Sequence, residues 1–224
     1  MRTIRNSLIT LAAIALSVPL VYAQDLSKYR TFSLGTSLAQ VSKQIGPDSN
    51  GTSLIHERPA IIQEVTSWSV GRSRSSAQVD QISEVLFSFY NGELYRIEVS
   101  YDSHATEGLT AEDMVQAVSS LYGTATRPAA EINFPTKASY DSKEKVIARW
   151  EDSQNSISLF RSSSLDSFGL VVLSKRTDAE AEAAIIESAR LDKEEAPQKE
   201  VDRQKKEAEN LEVARQISRK TFHP

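Results

Sequence analysis

The sequence predicts an α+β protein with two successive helix-plus-antiparallel-three-strand units, followed by a charged C-terminal helical tail. Apolar residues alternate along short segments rich in β-branched and aromatic residues, which is typical of strands with one covered face. Two other segments carry apolar residues at helical spacing and end at glycine. From residue 178 the chain is dominated by alanine and charged residues, which are strong helix formers.

Residues 1–23 have the features of a signal peptide. Arg2 and Arg5 precede an apolar run from Leu8 to Leu20, and Ala23 is a small residue suited to cleavage before Gln24. The run is short for a membrane span. A retained membrane anchor is the alternative. We expect cleavage, so that the mature chain is periplasmic or secreted and has no stable membrane span.

Charge and cysteine content exclude several classes of function. Loss of Arg2 and Arg5 changes the formal charge from −4 to about −6, which argues against binding to nucleic acid or to anionic lipid. The chain has no cysteine. This excludes disulfides, a thiolate nucleophile, a cysteine metal site and a lipidated cysteine at the cleavage point.

The first predicted unit covers residues 24–105. Leu38, Val41 and Ile45 have helical spacing, with Thr36 or Ser37 as the cap and Gly46-Pro47 as the stop. Residues 49–53 read as a loop, and the second half of 60–70 reads as a strand that contains Trp68. Two further strands are predicted at about 83–89 and 93–101.

The segment FSFYNGELYRIEVSYD, residues 87–102, predicts a hairpin whose loop length decides which side chains share a face. A two-residue Asn91-Gly92 loop sets Phe87 opposite Arg96, whereas a three-residue loop that begins at Tyr90 sets Phe87 opposite Tyr95. We therefore predict the three-residue turn with a G1 bulge at the glycine. One face of the sheet is then apolar, and the other is mixed and open to solvent.

The second predicted unit covers residues 106–177 and repeats the element order of the first. Thr110 caps a helix that ends at Gly123, residues 127–143 read mostly as loop, and three strands end at Trp150, Phe160 and Lys175. Trp68 and Trp150 take corresponding places in the two units. This order suggests an internal duplication.

The tail, residues 178–224, is predicted to be helical and partly flexible. Pro197 favours two helices or one kinked helix. Its apolar positions are too sparse to sustain a coiled coil. A spacer or oligomerisation role for this tail is one alternative function.

Short motifs resemble the periplasmic domains of the SmpA/OmlA and β-lactamase-inhibitor-protein-like group. They are FSLGTSLAQVSKQIG, VLFSFYNGELYRIEVSYD, LYG, ARWED and ISL, which span about residues 32–175. Gly35, Thr36, Val41 and Gly46 match the helix motif of the group. The hairpin motif is matched by Phe89, Gly92, Leu94 and Ile97. The missing lipidated cysteine and the long tail depart from the pattern. The resemblance implies a protein-binding or scaffold role in the cell envelope.

No residue pattern predicts catalysis, a metal site or a cofactor. His56, His104 and His223 lack ligand spacing, and the many serines lie outside any nucleophile motif. Glu98 and Asp102 share strand parity but lie about 13 Å apart at the rise of a strand. The alternative enzyme is a secreted hydrolase whose dispersed site does not show in the sequence.

The function we expect is therefore non-catalytic binding of a protein partner in the bacterial cell envelope. The mixed sheet face offers Arg96 and Glu98, and the hairpin tip offers Tyr90, where a large exposed aromatic favours an interface. For Trp68 and Trp150 the favoured prediction is a core position at the junction of helix and sheet, and the alternative is a role as interface anchors.

Overall fold

The computed structural model describes residues 25–68, 81–132, 144–162 and 167–221, with the side chains of 48–50 excepted. It has an α+β fold with one large antiparallel sheet and a long C-terminal helix. The strands are β1 (Lys28–Tyr29), β2 (Phe32–Ser33), β3 (Ser49–His56), β4 (Ile62–Ser67), β5 (Ile82–Tyr90), β6 (Glu93–Tyr101), β7 (Glu131–Ile132), β8 (Glu144–Glu151), β9 (Asn155–Arg161) and β10 (Phe168–Ser174). The helices are α1 (Leu38–Ile45), α2 (Ala111–Tyr122) and α3 (Lys175–Thr221), with a 3-10 turn at Gly46–Asp48.

Eight of these strands form one continuous sheet in the order β3-β4-β5-β6-β10-β9-β8-β7. Every pairing in it is antiparallel, and β6 lies beside β10 at its centre. The structure differs from the sequence prediction in strand number. Each half of the chain contributes four strands, where three were predicted, and the two sets join edge to edge.

The β5–β6 hairpin shows that the predicted register is wrong. Its loop is the two-residue Asn91-Gly92, in which both residues have positive φ (49° and 84°), as a type I′ turn requires. Phe87 pairs with Ile97, because Tyr95 is an extra residue on β6 between the pairs Phe89–Leu94 and Ser88–Arg96. This bulge removes the clash of phenylalanine with arginine that a regular two-residue hairpin would create.

The main core lies between the sheet and the two short helices. Its buried residues on the large sheet are Val65, Ile82, Val85, Phe87, Phe89, Leu94, Ile97, Val99, Ala148, Trp150, Ile157, Leu159, Phe168, Leu170 and Val172. Val41 of α1 and Met114 and Val118 of α2 cover them. Tyr95 is not part of this cluster, since it packs with Ile62 and α3 on the other side of the sheet.

Both short helices begin and end in the same way. Ser37 and Thr110 are the N-caps, and each forms a capping box with the third helical residue. The cap at Thr110 was predicted, and of the two candidates for the first helix, Thr36 and Ser37, the structure uses Ser37. Gly46 and Gly123 end the helices at positive φ, 76° and 82°, where a side chain would be strained. These caps fix the length of each helix and its starting point above the sheet.

The C-terminal helix α3 covers the opposite face of the sheet through its first half. Ala181, Ala184 and Ser188 are its buried residues, and such small side chains let the helix approach the strands closely. Residues 196–221 are exposed along their whole length. Pro197 lies inside α3, which continues past it as a single helix.

Four of the ten described strands were missed. Two of them, β1 and β2, form a separate two-stranded sheet, and the other two lie at the edges of the large sheet. Residues 49–53, predicted as a loop, belong to the edge strand β3, whose one partner among the described strands is β4 and whose pairing has two register shifts. The short strand β7 lies within the segment 127–143, and residues 133–143 lie outside the described part of the chain.

Candidate functional site

The best candidate site is a groove of about 800 Å³ beside α2, here called the tyrosine groove. Three elements form its walls: the segment around β1, the loop that follows β6, and one side of α2. It is lined by Asp25, Lys28, Tyr29, Arg30, Gln81, Tyr101, Ala105, Thr106, Leu109, Met114, Ala117, Val118, Leu121 and Tyr122. A large, mainly apolar groove with a few converging polar groups is the usual form of a binding site.

Local hydrogen bonds fix the walls of the groove. The Asp102 carboxylate accepts from the backbone N–H groups of His104 and Ala105 at 2.9 and 3.0 Å, which shapes the loop after β6. Tyr122 Oη donates to the Lys28 carbonyl at 3.0 Å and thereby ties α2 to β1. One wall is therefore shaped by its own hydrogen bonds, and two others are joined by the bond from Tyr122 to Lys28.

Three tyrosines, Tyr29, Tyr101 and Tyr122, line the groove. Burial raises the pKa values of Tyr29 and Tyr101, and it raises the pKa of Tyr122 to about 12. All three hydroxyls therefore stay protonated across the physiological range. They offer flat apolar rings and hydroxyl oxygens that can accept a hydrogen bond. The Tyr122 hydroxyl already donates to the Lys28 carbonyl, and Tyr29 and Tyr101 bond to each other.

The rim of the groove is partly apolar and partly charged. Leu109 and Leu121 are large apolar side chains that remain 42% and 62% exposed. At the other side, Lys28 lies 2.8 Å from Asp25, and this bond, with help from Ser27, lowers the pKa of the Asp25 carboxyl to about 2. The Arg30 guanidinium lies 5.7 Å from the centre of the Tyr29 ring.

The structure places Arg96 and Glu98 in the interior. Each residue is only 3% exposed, because α3 lies over the sheet face that was predicted to be open to solvent. Arg96 Nε lies 2.9 Å from Glu98 Oε1, and Arg96 Nη1 donates to Asp178 Oδ1 on α3 at 3.2 Å. Burial raises the pKa of Asp178, and Arg96 opposes that shift. The open-face prediction is wrong here, and direct contact with a partner would require α3 to leave.

Tyr90 is also placed differently from the prediction. It is the last residue of β5, opposite Glu93, and so lies one position before the loop. Its partly buried ring packs with Ile55 and Ile185 against the cluster under α3. An exposed aromatic at the tip of the hairpin is therefore not what the structure shows.

The two tryptophans do not take equivalent places. Trp150 is 2% exposed and its indole N–H donates to the Gly123 carbonyl at 2.9 Å, which joins β8 to the end of α2. Trp68, just after β4, is 47% exposed. The core prediction is confirmed for Trp150 and is wrong for Trp68.

The histidines do not form a metal site with the described acidic groups. His56 ends β3, and its Nδ1 lies 2.9 Å from Ser188 Oγ of α3, so this pair helps to dock the helix. His104 lies in the turn after β6, and His223 lies outside the described residues. In the described ranges, no cluster of three or more histidine, aspartate and glutamate side chains could hold a metal ion.

Sequence reasoning missed the tyrosine groove entirely. Tyr29, Tyr101 and Tyr122 are far apart in the chain, and no spacing rule connects them. The one local signal was Leu121, which continues the apolar stripe of α2 beyond the part that packs on the sheet.

Comparison of the chain with protein-family models, curated proteins and solved structures finds no match. The resemblance to the SmpA/OmlA group therefore stays a prediction. Across the described ranges, none of the helices has both the length and the apolar character needed to cross a membrane.

Proposed function

We propose that the chain is an exported, non-catalytic binding protein of the bacterial cell envelope, and that it holds an apolar segment of a protein partner in the tyrosine groove. The observation that carries this proposal is the groove itself: about 800 Å³, with apolar walls and three tyrosines. It replaces the sheet face as the expected contact surface, because α3 covers that face.

The chemistry of the groove favours a protein segment as its occupant. Leu109 and Leu121 remain exposed along the rim, where an extended or helical segment could pack across them. Tyrosine is enriched at the energetic centres of protein interfaces, because its ring packs while its hydroxyl finds a hydrogen bond. Exposed apolar residues that border a groove commonly mark such an interface.

Affinity capture from an envelope extract tests the proposal. The tagged mature chain is compared with Leu121→Glu, which puts a charge on the rim, and with Ile186→Glu on α3. Leu121 and Ile186 are matched, since they are 62% and 66% exposed on helices. We expect one partner to be recovered by the wild type and by Ile186→Glu, and lost with Leu121→Glu. Equal recovery with all three chains would contradict the proposal.

The location in the envelope rests on the leader segment and on the family resemblance. Arg2, Arg5 and the apolar run that follows support export, and the resemblance supports the periplasm. Mass spectrometry of the chain from the periplasmic fraction should give an N-terminus at Gln24. A chain that stays in the cytoplasm with its leader intact would contradict this part.

We further propose that the two halves descend from a duplication. The matching caps of α1 and α2 and the mirrored strand order on either side of the β6–β10 pair support this. An experimental structure in which α1 and α2 pack over unrelated parts of their own strand sets would contradict it.

The exposed half of α3 supports a second candidate function, that of a spacer or oligomerisation helix. Residues 196–221 are exposed, and Leu211 and Ile217 remain 66% and 58% accessible within them. Deletion after Glu195 removes this half and leaves the docked part in place. If the deletion changes neither the oligomeric mass nor the recovery of the partner, the spacer or oligomerisation role of α3 is excluded.

A further inference from the structure

We propose that a second groove, on the α3 side of the sheet, binds a small zwitterion of amino-acid to dipeptide size, and that Arg149 binds its carboxylate. This polar groove has a volume of about 350 Å³ and lies between the first turns of α3 and strands β7, β8 and β9. Its principal polar residues are Arg149, Ser156 and Ser158 on the strands and Lys175, Asp178 and Glu182 on α3. It is separate from the tyrosine groove, which lies on the α2 side.

Arg149 is positioned to receive a carboxylate. Its backbone N–H and carbonyl both pair with Thr126 at 2.9 Å, and its Nε donates to Ser158 Oγ at 3.1 Å. Among the described residues, its two Nη groups have neither a hydrogen bond nor an ion pair with a protein side chain. A half-buried guanidinium held at Nε presents those two Nη groups as a fork that matches the two oxygens of a carboxylate.

The other cations of the groove already have partners. Lys175 Nζ lies 2.7 Å from Glu151 Oε2 and donates to the Asp152 carbonyl at 2.7 Å. Arg96 donates to Asp178 and lies beside Glu98. Arg149 is therefore the cation in the groove whose hydrogen-bonding capacity is left for a ligand.

The charge of the lining selects a zwitterion over a simple anion. Among the described lining residues there are three cations and four carboxylates, those of Glu131, Glu151, Asp178 and Glu182. A simple anion bound at Arg149 would also be repelled by these carboxylates. A ligand whose ammonium group lies close to its carboxylate matches both signs of charge.

The size of the groove limits the ligand. Its volume of about 350 Å³ lies at the lower end of the range for small-molecule sites. The hydroxyl-bearing Ser156 and Ser158 form a floor that is 5% and 3% exposed. A ligand seated on this floor also touches α3, so binding should hold the helix on the sheet.

Isothermal titration calorimetry of the mature chain with the dipeptide Ala-Ala tests the proposal. Two blocked probes separate the charges: the C-terminal amide lacks the carboxylate, and the N-acetyl form lacks the ammonium group. We expect Ala-Ala to bind, and each blocked probe to bind at least tenfold more weakly, since each loses a charge-assisted hydrogen bond. Absence of binding by Ala-Ala, or equal binding of all three peptides, would overturn it.

Variants then assign the site. Arg149→Met should weaken Ala-Ala binding at least tenfold, and Arg149→Lys should weaken it less, because lysine keeps the charge and loses the fork. Arg127→Met is the matched control, since that exposed arginine pairs with Glu112 away from the groove. Unchanged binding by Arg149→Met refutes the assignment of the carboxylate to Arg149. If that variant does not fold, the comparison of the three peptides on the wild-type chain tests whether both charges of the ligand are bound.

Hydrogen exchange gives a second readout. Ala-Ala should slow exchange of amides in the first turns of α3, around residues 175–188, in the wild type and leave them unchanged in Arg149→Met. Slowing confined to the α2 side of the sheet would contradict the placement.

Discussion

Replacement of Arg96 by methionine tests how α3 is held on the sheet. The side chain of Arg96 is 4% exposed, and it holds the carboxylates of Glu98 at 2.9 Å and Asp178 at 3.2 Å. Without the guanidinium, the buried Glu98 carboxylate and the partly buried Asp178 carboxylate lose this ion-pair partner, which costs about 3–5 kcal/mol. For a domain of this size we expect the midpoint of thermal unfolding to fall by about 6–20 °C.

Urea unfolding followed by circular dichroism measures this free energy. Arg127→Met is the control: its pair with Glu112 is 56% and 68% exposed, so its loss should cost about 0–1 kcal/mol. Adding Glu98→Gln to Arg96→Met should recover part of the stability, because it removes one buried charge. A loss below about 1 kcal/mol for Arg96→Met, or no recovery in the double variant, would show that this ion pair does not hold α3 on the sheet.

Three further predictions concern the packing around α3 and the sheet. Tyr95→Phe should leave the free energy of unfolding in urea unchanged or raise it by about 1 kcal/mol, because the Tyr95 hydroxyl is buried with no hydrogen-bond partner in the described residues. A clear fall in that free energy would contradict this prediction. Gly169→Ala should lower the free energy of unfolding by about 1–3 kcal/mol, since its Cβ would lie 2.2 Å from Cζ of Phe160. An unchanged free energy of unfolding would show that the Phe160 ring moves aside freely. Hydrogen bonds from Arg58 lower the pKa of Glu195 from 4.5 to about 2, so the pair stabilises the fold above about pH 4.5 and loses this effect as the pH falls towards 2. The difference in melting temperature between wild type and Glu195→Gln should shrink over that range, and a constant difference would contradict the pairing.

The sequence was sufficient for the elements whose determinants are local. The cap at Thr110 and the glycine stops follow from short-range chemistry, and the structure has them where the sequence predicts. For the first helix the sequence left Thr36 and Ser37 as alternatives, and the cap is Ser37. The edge strand β3 was missed because its residues are largely polar and include Gly51, while its pairing partner β4 lies beyond the next turn.

The hairpin register failed for a different reason. The two-residue Asn91-Gly92 loop was rejected because it set Phe87 against Arg96, and a bulge at Tyr95 solves that conflict within the strand. Where the bulge falls depends on what α3 packs against, because Tyr95 then points to the α3 side. Local pattern does not contain that information.

The candidate site depended on tertiary structure almost completely. Tyr29, Tyr101 and Tyr122 meet only because β1, β6 and α2 converge at one end of the sheet. Similarly, strand alternation places Arg96 and Glu98 on a polar face of the sheet, and the structure buries that face under α3. The sequence of α3 does not show which face of the sheet it covers.

Site-specific photo-crosslinking in living cells tests the tyrosine groove most directly. A benzoylphenylalanine residue is placed at position 121 on its rim in one chain and at position 186 on α3 in another. We expect a single crosslinked protein from position 121 and none from position 186. Crosslinks of equal yield from both positions, or from 186 alone, would contradict it.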